Sequence, residues 1–313
     1  MKSKGLIIMN VYMPEQYSKK AFGNYRFAEI REACENGTIL EAPAMKCDKD
    51  LNLEVDLGPN AIGKMPFSEF EYSISGKPTK AVAVLSKVGK AIQFKVIKTE
   101  KVNGTLVCQL SRKAAQKECY DEFISKLQVG QVISARATYV ESYGIFCDIG
   151  CGIPALIPIE NFCTTRINEP KKYLSDLSNL KVVVKSTADN KITLSHKELL
   201  GTWEHEAAKF NVGDTVTGTV RIIESYGVFV QLTPNLVGLA DVYPDLQIGD
   251  DVTVYIKSIY PNKMKVKLLI LSKNEKIASK THFDYQIPES GYVNRWVYSP
   301  ESCEKKIETN FCD

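Results

Sequence analysis

A six-residue phrase is written twice in this chain: Glu141-Ser142-Tyr143-Gly144-Ile145-Phe146 and, 83 positions later, Glu224-Ser225-Tyr226-Gly227-Val228-Phe229. The frame around it repeats at the same offset, Val129-Gly130-Gln131-Val132 before the first phrase and Val212-Gly213-Asp214-Thr215-Val216 before the second. A fixed period of this kind means that one structural unit is built more than once. Each phrase leads into alternating residues, Cys147-Asp148-Ile149 or Val230-Gln231-Leu232, which is the period of a strand. Tyrosine and phenylalanine stand three apart around a glycine, and a bulge at that glycine would restore parity and bring both rings to one sheet face. Such rings either fill a core, the common use of aromatic strand formers, or form an exposed platform on which unpaired bases stack. Repetition of the whole phrase favours the platform.

After the aromatic turn each unit returns through a strand and closes on a basic-hydrophobic stretch. In the first unit these are Cys151-Gly152-Ile153-Pro154-Ala155-Leu156-Ile157-Pro158 and Lys191-Ile192-Thr193-Leu194-Ser195; in the second the close is looser, around Lys263-Met264-Lys265-Val266-Lys267-Leu268. The ordered set of valine-glycine entry, aromatic-Gly-x-Phe turn, return and close resembles the S1 RNA-binding domain family. The resemblance implies a five-stranded OB barrel for each unit, with Tyr143, Phe146, Tyr226 and Phe229 stacking bases and Arg136, Lys191, Arg221, Lys263 and Lys265 steering phosphates. Arg136 and Thr138 align with Thr219 and Arg221, which puts both arginines on the strand face, and Lys263, Lys265 and Lys267 alternate so as to share a face. Family members often carry a histidine on the returning strand. Here Ile157-Pro158 and Leu239-Ala240-Asp241 stand in that place, so affinity per barrel falls and avidity between barrels matters more.

Residues 1–36 form a helical lead in which Phe27, Ile30 and Ala33 mark an amphipathic helix ended by Asn36-Gly37. Residues 37–113 read as a third, diverged barrel. It contains Leu51-Asn52-Leu53-Glu54-Val55-Asp56-Leu57, a strand-rich stretch with Val82, Val84 and Leu85, and the Leu-Ser close at Leu110-Ser111. The aromatic turn is replaced by Asp50-Leu51-Asn52-Leu53, with neither ring nor glycine. By resemblance, such an N-terminal barrel serves protein contacts rather than base stacking. A helical linker, 114–127, leads to barrels at 128–197 and 211–272, themselves joined by a helical linker at 198–210. There Ser195-His196-Lys197-Glu198 is a capping-box pattern, with Leu199, Trp203 and Ala207 on one stripe and Trp203 a buried staple. The tail, 273–313, holds too many rings, Phe283, Tyr285, Tyr292, Trp296 and Tyr298 among them, for plain disorder; it either folds back onto the third barrel or covers a partner.

The fold class is thus all-β with linking helices, three tandem five-stranded OB-fold barrels of which the first is diverged. Composition bears on function chiefly by exclusion. Residues 1–127 carry 20 basic against 15 acidic side chains, and residues 128–272 carry 14 against 15. The aromatic units are therefore not the basic part, and binding by them leans on stacking and a few placed cations. Nine cysteines, an odd number without a CxxC pair, fit a reducing cytoplasm rather than a disulfide framework, and Cys147 and Cys151 lack a histidine neighbour for zinc. No secretory leader or membrane span is expected, since Leu6-Ile7-Ile8-Met9 is too short an apolar run. His196, His205 and His282 stand apart from any paired carboxylates, nucleophile turn or phosphate loop, so neither an enzyme nor a cofactor is expected. The expected partner is single-stranded RNA, in particular mRNA in translation, with the small ribosomal subunit contacted through residues 1–113 and no membrane. An RNA-decay or regulatory factor presenting RNA to a nuclease is the alternative, and a protein-contact scaffold is a further one.

Overall fold

The computed structural model describes residues 12–17, 23–73, 76, 78–167, 179–188, 191–275 and 283–312. The apolar run at 6–9 and His282 lie outside the described residues. Helix α1, Phe27–Asn36, buries Ile30 and Ala33 and ends at Gly37, whose φ of 67° is the left-handed conformation a glycine accepts without cost. Three closed barrels follow. The first is β1 (Ile39–Cys47), β2 (Leu53–Gly58), β3 (Ala61–Met65), β4 (Ala91–Val102) and β5 (Thr105–Ser111) in the order β1-β2-β3-β5-β4. The second is β6 (Val132–Glu141), β7 (Gly144–Asp148), β8 (Pro154–Pro158), β9 (Leu180–Ser186) and β10 (Thr193–Ser195); the third is β11 (Thr215–Glu224), β12 (Gly227–Thr233), β13 (Leu236–Ala240), β14 (Asp251–Tyr260) and β15 (Lys265–Lys273). All three share one order, in which the third and fifth strands run parallel and the other pairs antiparallel. The architecture is the expected one of tandem OB barrels with few helices.

Alternation sets the inside of each barrel. Along β2, Leu53, Val55 and Leu57 face a core that also holds Ile92, Phe94 and Leu110, while Glu54 and Asp56 point outward. The stretch around Val82 and Leu85 departs from the strand pattern. It forms the short helix α2, Ala81–Leu85, and buries Val84. Barrels one and two close on a shared device despite their divergence. Pro66 and Pro158 each start a single 3-10 turn, ending at Phe70 and Phe162. A buried side chain just after the last strand covers that phenylalanine: Arg112 lies 5.1 Å over the Phe70 ring, and His196 stacks at 4.6 Å on Phe162.

Helix α3, Arg112–Glu122, joins barrels one and two and is capped by the Ser111 hydroxyl, which accepts from the Ala114 N–H. The second linker corrects the expectation of one capped helix. Lys197–Leu199 is a 3-10 turn, Gly201 at φ 86° breaks the chain direction, and α4 is only Trp203–Ala207, capped by Thr202. The capping box does not form because its side chains are engaged elsewhere: the Ser195 hydroxyl donates to the Asn161 carbonyl, and Glu198 accepts from Thr309. Leu199, Trp203 and Ala207 are nonetheless buried together, Trp203 as a staple in the third barrel's core.

The tail folds back. Strands β16 (Arg295–Val297) and β17 (Glu308–Asn310) form a small sheet, and Trp296, Tyr298 and Phe311 join the core of barrel three and its linker. Val293 and Gly291 exchange backbone hydrogen bonds with Gly130 and Val132 of barrel two, so the tail spans both barrels.

Candidate nucleic-acid interface

The doubled phrase forms the turn between the first two strands of barrels two and three. Tyr143 and Tyr226 sit in the turn, and Gly144 and Gly227 open the second strand. A Cβ at Gly144 would stand 2.5 Å from the Ile157 carbonyl oxygen, and one at Gly227 would stand 2.5 Å from that of Ala240. The glycine is required because the returning strand passes too close for any side chain. The bulge lies elsewhere than expected. It falls in the preceding strand, at Thr138 and Arg221, where the registers slip between Ala137 and Tyr139 and between Val220 and Ile222. The rings share a face because the tyrosine reaches over the turn onto the phenylalanine.

The two ring pairs have nearly the same geometry. Tyr143 and Phe146 meet edge to face at 6.1 Å and 88°, Tyr226 and Phe229 at 6.2 Å and 89°. Tyr143 is 56% and Tyr226 66% exposed, while Phe146 and Phe229 are half-buried. Each phenylalanine contacts its tyrosine edge to face, and the tyrosine keeps more than half of its surface in solvent. Register extends these rows across the sheet. Phe146 pairs with Tyr139 on one side and Leu156 on the other, and Leu156 with Thr193; in barrel three the row is Ile222, Phe229, Leu239 and Lys267. Tyr139, 55% exposed, is a third ring on the face of barrel two that the repeat could not reveal, because its counterpart is Ile222.

The expected cations separate. Lys191 is exposed just before β10, and Lys265 projects from β15, with Lys267 beside it and 5.8 Å over the Tyr260 ring. Lys263 leaves the row expected of it: it closes the 3-10 turn Pro261–Lys263, and Met264 at φ 48° changes the chain direction before the strand begins. It remains exposed beside Lys265. Arg221 is half-buried at the bulge, where its Nε donates to Gln231 at 2.6 Å. Arg136 does not stand on the open face. Its Nη2 donates to Gln16 of the N-terminal lead, which fills the seam between barrels one and two.

In barrel one the same cross-strand row reads Lys46, Glu54, Lys64, Gln109 and Lys98. Charges of both signs occupy the place of the rings, and Lys46 pairs with Glu54 at 3.7 Å.

The lead is a strap. Glu15 is buried between the barrels, where Arg112 and Lys87 contact its carboxylate at 2.7 and 2.5 Å. Its backbone N–H donates to Asp148, which also accepts from Gly150 and Gly152. Burial opposes the Glu15 charge, but Arg112 and Lys87 outweigh it and hold the carboxyl low, at about 2. Burial, and then the charge of Glu15, push Asp148 the other way. The equivalent seam between barrels two and three uses the same turn of the fold. Cys151-Gly152 accepts through its carbonyls from Gln116 and Arg112 of the preceding linker. Pro234-Asn235, 83 positions on, contacts Thr164 and Thr165, and the Asn235 amide donates to the carbonyls of Lys197 and Gly201.

His196 is buried and fully hydrogen-bonded. Its Nδ1 faces the Phe162 carbonyl, which can only accept, so the neutral ring carries its proton there; Nε2 then accepts from the Tyr285 hydroxyl. Burial lowers its pKa to about 4. Among the described residues no group of three or more His, Cys, Asp or Glu is placed to hold a metal ion, and no helix is long and apolar enough to cross a membrane.

No family model matches the chain. Among curated proteins, it is 28% identical over 203 residues to a small ribosomal subunit protein bS1 of Leuconostoc lactis, covering 60% of this chain and 47% of that protein. It is 30% identical over 281 residues to a bS1 of Rickettsia conorii, covering 84% and 48%. A bS1 homolog of Bacillus subtilis is 27% identical over 221 residues, covering 64% and 57%. The chain thus spans about half the length of these relatives.

Proposed function

The chain belongs to an S1-like family, and from that premise we propose that it binds single-stranded RNA on the ring-bearing faces of barrels two and three, holding mRNA during translation. The observation that carries this reading is the pair of exposed, edge-to-face ring couples at equivalent places in two barrels. An exposed tyrosine on a surface strand turn gains nothing from burial, and its open face matches the flat face of any base. Lys191, two residues before Thr193 in the first couple's row, and Lys265, two before Lys267 in the second's, with Lys263 ahead of it, would supply phosphate contacts without making the whole face basic. Two modest sites on one chain reach useful affinity by acting on one strand.

Barrel one takes a different role. Its row of mixed charges has no stacking surface, which supports protein docking, with the small ribosomal subunit as the partner. Recovery of the RNA-bound protein without ribosomal subunits from a pull-down of the intact chain would remove this part of the proposal.

The test of the first part is fluorescence anisotropy with a labelled, unstructured RNA at two salt concentrations. Replacement of Tyr143, Phe146, Tyr226 and Phe229 by alanine is expected to cost about 1–3 kcal/mol per stacked base while leaving the salt slope almost unchanged. Undiminished binding by the fourfold variant would assign the rings to protein contacts instead.

A further inference from the structure

We propose that the seam between barrels two and three is itself a phosphodiester-binding site, built by Lys185, Lys197 and Arg166, which carries a single strand from the rings of one barrel to those of the next. The proposal rests on the RNA-binding reading above and adds a site that neither the repeat nor the barrel faces contain.

The site begins under the first ring couple. The Ile159 N–H donates to the Tyr143 carbonyl at 2.9 Å, so the 3-10 turn Ile159–Asn161 is fastened directly to the aromatic turn. Two half-buried ammonium groups lodge on that turn: Lys197 donates to the Glu160 carbonyl at 3.1 Å, and Lys185 to the Asn161 side-chain oxygen at 2.9 Å. Both partners are neutral acceptors. Neither lysine has an ion-pair partner among the described residues, and burial together with the nearby Lys185 lowers the pKa of Lys197, against the pull of Glu198 and Glu160. Arg166 stands exposed on the same cleft, of about 540 Å³, which Lys197 and Glu160 also line. Half-buried cations held by neutral acceptors gain from an anion beside them; Lys197 and Arg166 line the cleft, Lys185 sits outside its lining on Asn161, and successive phosphodiesters of one strand fit the three donors, one to each.

The cleft also leads somewhere. It shares Thr164, Thr165 and Ile307 with an adjoining cavity of about 180 Å³ whose far wall includes Met264. Met264 lies between Lys263 and Lys265, which lead into the strand whose Lys267 stands in the row of Phe229. A strand leaving Tyr143 would meet Lys185, Lys197 and Arg166, cross the uncharged hollow lined by Thr164, Thr165 and Met264, and so reach Lys263 and Lys265. The tail contributes Ile307 to both hollows and so shapes the passage.

The test compares two labelled unstructured RNAs, one of about four nucleotides that fills a single barrel and one of about sixteen that spans two. With the triple variant Lys185→Gln, Lys197→Gln and Arg166→Gln, the longer RNA is expected to lose about two units of salt slope, at roughly 0.7 per phosphate contact, and to bind of the order of 100-fold more weakly at 0.1 M salt. The short RNA is expected to bind as before. The single variant Arg166→Gln, at an exposed position where folding is not at stake, is expected to remove about one third of the slope change. Unchanged affinity and slope for the long RNA in both variants would overturn the proposal, and so would an equal loss for the short RNA, which would assign the cations to one barrel alone. If the wild type binds neither RNA, the RNA-binding reading falls and this site falls with it.

Discussion

At the residue scale, the same chemical type has opposite roles depending on where the fold sets it. Tyr143 and Tyr226 are open to solvent, while Tyr285 and Tyr298 are spent on holding the tail: the Tyr285 hydroxyl accepts from the Lys181 N–H and donates to His196, and the Tyr298 hydroxyl donates to the Asn235 carbonyl. The burial of His196 sets a pH dependence. His196 has an ordinary value of 6.5 when unfolded and about 4 in the fold. Between these values the unfolded chain binds more protons, so the stabilisation from keeping the ring neutral is complete above about 6.5 and is lost as pH falls towards 4. The span corresponds to about 3 kcal/mol. Trp203 and Trp296, the chain's two tryptophans, lie in the adjoining core and report its unfolding. Urea unfolding followed by their fluorescence is expected to show a steeper loss of stability from pH 6.5 to 4 in the wild type than in His196→Asn. A difference curve flat with pH would mean that this ring does not titrate on unfolding. The rings of the doubled phrase were legible from the sequence because repetition marked them, and the exposed Tyr139 was not, because its barrel-three counterpart is an isoleucine.

At the scale of elements, the second-to-third strand turn is the joint of the molecule. In barrel two its carbonyls accept from the Gln116 amide and the Arg112 guanidinium of the linker from barrel one, and in barrel three its Asn235 amide donates to carbonyls of the linker from barrel two. The first seam adds the strap of residues 12–17 and its buried ion pair. A buried charge pair is a weak source of net stability but costly to break on one side. Arg112→Met is therefore expected to destabilise by about 3–5 kcal/mol, because it strands Glu15 with only Lys87. Glu15→Leu combined with Arg112→Met is expected to recover a large part of that loss, which a double-mutant cycle by urea denaturation measures. Strict additivity of the two changes would show that the pair does not act as a unit. The strap also explains why Arg136, which strand alternation put on the binding face, is engaged by Gln16: the lead reaches it from more than a hundred positions away, which no local pattern encodes. The second linker failed as a single helix for a similar reason, since Asn161 and Thr309 claim the side chains of its capping box.

At the scale of the whole molecule, the tail decides how barrels two and three are held. It bonds to Gly130 and Val132 at one end of its course and packs Trp296 and Tyr298 against barrel three, with Trp203 between. Removing a buried indole leaves a cavity that the surroundings fill only in part, so Trp296→Ala is expected to cost about 3–5 kcal/mol, read as a lower urea midpoint in the Trp203 signal. Tyr143→Ala and Tyr226→Ala, at open positions, are expected to stay within about 0.5 kcal/mol of the wild type. A comparable loss in all three would mean that the exposed rings are structural. The sequence alone determined the barrels, their number and order, and the ring couples, since strand alternation, the closing Leu-Ser and a period of 83 are all local or repeated signals; why each couple needs its glycine, a carbonyl of the returning strand passing too close, only the fold revealed. Only the tertiary structure decided where the lead and the tail lie, which cations face solvent and what lines the seams. Those outcomes depend on side chains far apart in the chain competing for the same partners, and that competition is settled by packing rather than by any pattern along the chain.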